Sequence, residues 1–163
     1  MIIREYLPED MNVMIHIWNE FVDEGIAFPQ EDSGIQHKRG NQMNDKYYKQ
    51  AVACVKDRVL PAQMELYRSC NGDLDKIYGE VMNGNGYFGK VIVPGHVYEL
   101  GYEKCTCPNV LSGQITDPEH CNCSRQSILY ILSHQEPDSE FEVDILETIL
   151  NGAEHCRFKI TKK

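Results

Sequence analysis

At 163 residues with a formal net charge of -9, the chain has room for one ordinary domain, or one domain with an appended arm, and it lacks the basic footprint of a nucleic-acid-binding protein. Apolar residues make up 42% of it, enough for a core, yet no apolar run approaches membrane length. The start, MIIREYLPED, is charged by residue 4 and does not read as a secretion signal; the expected setting is the cytoplasm, with neither nucleic acid nor an anionic membrane surface as partner.

In chain order, residues 2–7 predict a short strand. Residues 9–24 predict a helix, because Val13, Met14, Ile17, Trp18, Phe21 and Val22 recur at helical spacing and Gly25 can end it. The polar, aperiodic stretch FPQEDSGIQHKRGNQMN reads as a linker. A second helical region is expected from about Asp45 to Ser69, bent or restarted at Pro61. A third begins at Asp73 as N-cap, with Leu74, Ile77, Tyr78 and Val81 on one face, and NGNG stops it.

From residue 90 the period shortens. KVIV, HVYELGY and the segment to Cys107 read as strands, SRQSILYILSHQ as a helix capped by Ser124, and EFEVDILETIL and HCRFKI as alternating strands. Helices first and a mostly antiparallel sheet after them predict an α+β fold: N-terminal helices packed on an antiparallel sheet with one crossing helix and a C-terminal β-hairpin. The run from Gly84 to Gly89 spells G-x-G-x-x-G, but it follows a helix and precedes a strand, the wrong order for phosphate binding. The many tyrosines could line an aromatic ligand pocket or fill a core.

Asn151-Gly152 between two alternating runs predicts a two-residue type I′ turn. That turn places Val143 opposite Ile160, Ile145 opposite Phe158 and Glu147 opposite Cys156, all on the buried face. An unpaired buried carboxylate costs several kcal/mol. A shared metal would satisfy it, because cross-strand Cβ atoms sit about 5 Å apart and Zn²⁺ binds carboxylate oxygen and thiolate sulfur at about 2.0–2.3 Å. The alternative is that Glu147 accepts bonds from a loop and Cys156 is a small core residue.

The chain has seven cysteines, an odd number, and five of them fall in its last 60 residues. In a reducing compartment this points to metal ligands or reactive thiols rather than a disulfide framework. Cys105 and Cys107 lie in CTCP; His120, Cys121 and Cys123 lie in EHCNCS; 13 residues separate the two Cys-x-Cys pairs. Structural zinc sites more often space their ligands by two to four residues, so buried structural cysteines and a redox pair are the competing readings. His120 is the one candidate histidine ligand. His16, His96, His134 and His155 read as surface residues.

The tail from about Tyr98 to Ile160, CNCSRQSILYIL…VDILETILNGAEHCRFKI, resembles the 4-vinyl reductase domain, a small-molecule-binding module of bacterial sensors of aromatic compounds, and a related uncharacterised bacterial family. Zinc-bearing members order their ligands as Cys, about two dozen residues, Glu, then two Cys. Cys123, Glu147 and Cys156 match three of these, while Leu150 stands where the family has the remaining Cys. The resemblance therefore implies a zinc ion on Cys123, Glu147 and Cys156, with Cys105, Cys107 or Cys121 as the fourth ligand. The same tail is similar to the C-terminus of the aminothiazoline carboxylate hydrolase family, which implies a small zinc- or cysteine-dependent hydrolase as the rival function. The head, IIREYLPEDMNVMIHIWNEFVDEGIAFP, looks like the first strand and helix of a GNAT acetyltransferase, without the Gly-rich loop that would hold coenzyme A.

The expected organisation is thus a GNAT-like arm over residues 1–33 and a ligand- and metal-binding domain over 44–163. The leading function is a non-enzymatic small-molecule-binding domain tied together by structural zinc. A third reading is an interaction module in which the arm makes a homodimer.

Overall fold

A computed structural model describes residues 45–163, which fall within one unit, Gln42–Lys163. The strand, helix and linker expected before residue 44, and with them the acetyltransferase-like arm and any dimer contact it makes, lie outside the described residues.

The fold is α+β. Two helices, α1 (Asp45–Val55) and α2 (Val59–Ser69), precede a short helical segment α3 (Leu74–Lys76) that continues as a π-helical turn over Ile77–Val81. Strands β1 (Tyr87–Val93) and β2 (Val97–Tyr102) follow, then a one-turn helix α4 (Pro108–Leu111) and a 3-10 turn over Pro118–Cys121. Helix α5 (Asn122–Gln135) leads to β3 (Phe141–Glu147), a 3-10 turn over Ile149–Asn151, and β4 (Cys156–Lys162). The four strands form one antiparallel sheet in the order β1-β2-β4-β3. Among the described residues no helix is long and apolar enough to cross a membrane.

Local chemistry accounts for the helix boundaries. The expected long helix is two helices separated by a turn at residues 56–58, and Pro61 sits in the first turn of the second, where its missing N–H removes no intrahelical bond. Asp73 caps α3 as expected, its carboxylate accepting from the Lys76 N–H at 3.2 Å. Leu74, Ile77 and Tyr78 of the expected apolar face are buried, whereas Val81 is exposed. Ser124 does not cap α5: the chain enters that helix through the Pro118–Cys121 turn, which Asp117 caps by accepting from the Glu119 N–H at 3.0 Å. The strand expected to run on to Cys107 ends at Tyr102, and Glu103–Cys107 leave the sheet.

One face of the sheet is the core face. Tyr98, Leu100, Phe141, Val143, Cys156, Phe158 and Ile160 pack there against Ile128, Leu129 and Leu132 of α5 and Leu74, Ile77 and Tyr78 of the α3 segment. Full burial of each large apolar side chain contributes about 1.5–3 kcal/mol. Helix α1 packs on α5: Tyr47 and Ala51 meet Cys123, and Tyr48 and Val55 meet Tyr130. Tyr47, Tyr48, Tyr78 and Tyr98 are all core residues. In the glycine-rich run, Gly89 lies against the Tyr78 carbonyl, where a Cβ would come within 2.5 Å of the oxygen.

Candidate thiol site at one end of the sheet

The alternation read from the sequence sets most of the β3–β4 register. Phe141 pairs with Lys162, Val143 with Ile160 and Ile145 with Phe158. The pairing then shifts at a bulge between Ile145 and Glu147, so that Glu147 lies opposite Arg157, not Cys156. The connection is not a two-residue type I′ turn either. Thr148 is fully buried and accepts from the Asn151 N–H at 3.3 Å, closing a 3-10 turn that ends on Gly152 in the left-handed region (φ 86°).

The bulge removes the buried carboxylate that a regular hairpin would have carried. One extra residue in β3 leaves Leu146 exposed and turns Glu147 onto the open face of the sheet. There Arg157 bridges two carboxylates: Nε and Nη2 donate to Glu99 at 2.7 and 2.9 Å, and Nη1 donates to Glu147 at 3.3 Å. The Arg157 hydrogen bonds hold the Glu99 carboxyl below its ordinary value against the opposing effect of burial, with the charges of Arg157 and Lys90 adding to the lowering. Glu147 therefore finds its counter-charge in an arginine. As a metal ligand shared with Cys156 it is on the wrong face.

Cys156 remains on the core face. It opens β4 opposite Tyr102 of β2 and receives the Ile149 N–H at 3.4 Å. Burial raises its thiol pKa, that hydrogen bond lowers it, and proximity of Cys105 and of Glu147 raises it further. Because β2 ends at Tyr102, the chain leaves the sheet there and Cys105 comes near Cys156. The turn carrying Cys121 packs against the Ile149–Asn151 turn. Burial raises the Cys121 thiol, a hydrogen bond from Thr148 lowers it, and Cys156, Cys105 and Cys107 raise it in that order. Three separate chain segments thus bring Cys105, Cys107, Cys121 and Cys156 to one end of the sheet.

Cys107 has a nitrogen partner as well. Its Sγ lies 3.3 Å from Nε2 of His120. His120 is buried, and its ring meets Tyr47 edge-on, with centroids 6.5 Å apart. The sequence marked His120 by its place beside Cys121; the Cys107 contact follows only from the fold.

Cys123 turns toward the helices. It is buried against Tyr47 and Ala51, with the thiol of Cys54 on α1 nearby. Burial foremost, with Cys54, Cys107 and Cys121 nearby, pushes its pKa up to about 12. As arranged, no three His, Cys, Asp or Glu side chains among the described residues are gathered into a metal coordination sphere.

Comparison of the chain with protein-family models, with curated proteins and with solved structures yields no match.

Proposed function

We propose that the domain is a zinc-binding module whose ligands are Cys105, Cys107, His120 and Cys121, and that the metal fixes the 103–121 segment against the sheet. The observation that carries this reading is the spacing of Cys107 and His120. Tetrahedral zinc with its usual bond lengths separates a thiolate sulfur from an imidazole nitrogen by about 3.5 Å, and these two atoms stand 3.3 Å apart. The donor set suits the metal, since thiolates with one imidazole favour zinc over hard cations. Cys105, Cys107 and Cys121 lie outside the strands and are partly exposed, so their side chains can turn inward without breaking the sheet. Cys156 is held in β4 and already accepts the Ile149 N–H; it backs the site and is not needed to close it. The zinc would be structural, as four protein ligands leave no open position. The small-molecule-binding role implied by the tail's resemblance rests on that resemblance alone.

The same contact favours one other reading, a cysteine nucleophile with His120 as its base. Metal analysis of the full chain purified without added metal separates the two, combined with alkylation mapped by mass spectrometry. The zinc reading expects about one zinc per chain and joint protection of Cys105, Cys107 and Cys121, relieved by a chelator. Metal-free protein with no thiolate-to-metal absorption on Co²⁺ addition overturns it. Fast alkylation of Cys107 alone, abolished in His120→Ala, would point to the nucleophile.

A further inference from the structure

We infer that Cys54 is a site of oxidative modification, resolved by Cys123 into an intramolecular disulfide that staples α1 to α5. This is independent of the zinc reading, because neither cysteine belongs to the proposed ligand set.

The placement follows from helix geometry. Tyr47 and Ala51 of α1 are buried against Cys123. Cys54 lies seven residues after Tyr47 and three after Ala51, on the same stripe of the helix. The two helices pack side by side, which sets the Cys54 thiol near that of Cys123. The two sulfurs differ in access: Cys54 is exposed, whereas Cys123 is buried. An oxidant from solvent reaches Cys54 first, and a second thiol waits beside it. An exposed thiol next to a resolving cysteine is the arrangement that converts a sulfenic acid into a disulfide instead of allowing overoxidation.

The oxidant is hydrogen peroxide. The Cys54 sulfur attacks the peroxide, the O–O bond breaks, and Cys54 becomes a sulfenic acid as one water leaves. The Cys123 sulfur then displaces the hydroxyl, which departs as a second water carrying the remaining thiol proton. Two thiols lose two electrons in all, and hydrogen peroxide accepts them to give two waters. The bond joins α1 to the first turn of α5, directly after the Pro118–Cys121 turn, so oxidation would restrain the segment that carries His120 and Cys121.

The test uses the full reduced chain, treated with a small molar excess of hydrogen peroxide and then alkylated and digested without reductant. Free thiols should fall from the seven of the sequence to five, and the peptides containing Cys54 and Cys123 should appear linked. Cys54 is exposed, so Cys54→Ser should fold; it should retain Cys123 as a free thiol under the same treatment and form no intramolecular link through it. A disulfide between another pair, intermolecular dimers through Cys54, or accumulation of Cys54 sulfinic acid with Cys123 still free would each overturn the assignment. Metal content measured on the same samples reads the zinc proposal separately, since Cys54→Ser removes no proposed ligand.

Discussion

Replacing Glu147 and Glu99 separately by Gln distinguishes the bulged register from the regular one. In a regular hairpin Glu147 would share the core face with Cys156, and Glu147→Gln would disturb both stability and any bound metal. In the structure Glu147 is the weaker of two partners of Arg157: its side chain is 40% exposed and makes one contact at 3.3 Å, whereas the Glu99 side chain is 12% exposed and accepts two bonds at 2.7 and 2.9 Å. Hydrogen bonds to charged groups contribute about 1.5–3 kcal/mol, but the Arg157 side chain is 37% exposed and solvent screening reduces that figure. Glu99→Gln should therefore cost about 1–2 kcal/mol, and Glu147→Gln about 0.2–1 kcal/mol. Urea melts at neutral pH read the difference. The folded-state pKa of Glu99 is lowered, so its contribution is fully present above the ordinary glutamate value of 4.5 and is lost as pH falls through the lower folded value. The wild-type chain should thus lose more stability below pH 4.5 than Glu99→Gln does. A Glu147→Gln variant that loses more than about 2 kcal/mol, or loses zinc while Glu99→Gln keeps it, would refute the bulged register and restore Glu147 as a buried ligand.

Two further substitutions examine the elements that frame the thiol end and the opposite edge of the sheet. Thr148→Val keeps the shape of a fully buried side chain but removes the hydroxyl that closes the 3-10 turn and bonds Cys121; thermal melting should show a loss of about 1 kcal/mol, and unchanged stability would mean that the hydroxyl makes neither contact. Gly89→Ala forces a Cβ to within 2.5 Å of the Tyr78 carbonyl oxygen, which backbone on both sides cannot relieve, so a loss of at least about 2 kcal/mol in urea unfolding is expected, and wild-type stability would place β1 farther from the π-helical turn.

The outer part of the hairpin was legible because its information is local. Val143, Ile145, Phe158 and Ile160 alternate with charged residues, and alternation alone pairs them. The bulge was not legible because alternation within β3 and β4 does not mark it, and the arginine that receives the displaced Glu147 is itself held by Glu99 of β2, a neighbour that no periodicity specifies. The turn was half legible. Asn151-Gly152 marks a chain reversal, but Thr148 three residues before Asn151 is the sign of a side-chain-closed turn, a weaker signal than the common two-residue loop that Asn-Gly suggests. Asp117 before Pro118 was a better cap signal than Ser124 for the same reason, since Pro favours the first position of a helical turn. The Cys-x-Cys spacing marks Cys105 and Cys107 as candidate ligands, but the contact between Cys107 and His120 depends on where the chain goes after Tyr102, which no periodicity specifies.

The irregular features of the sheet fall at the end where the thiols gather. There β2 ends at Tyr102, β3 bulges after Ile145, and β4 begins at Cys156 opposite Tyr102. The bulge and the turn divide the polar groups between the two faces. Glu147 goes to the open face, where Arg157 neutralises it, and the Ile149 N–H goes to Cys156 on the core face. Had the hairpin been regular, a carboxylate would stand among four thiols. Its negative charge would oppose thiolate formation there, and its burial without a cation would cost several kcal/mol. With the bulge the thiol end holds Cys105, Cys107, Cys121, Cys156 and the Thr148 hydroxyl, with the His120 imidazole beside Cys107, and the Glu147 charge acts on Cys156 only from the open face. Such a set gains most from a cation that several sulfurs can share, because each thiolate it forms is stabilised by the same charge. The displacement of Glu147 to the open face, where Arg157 holds it, is therefore what would let the proposed cysteine and histidine donors share a cation without a buried carboxylate among them.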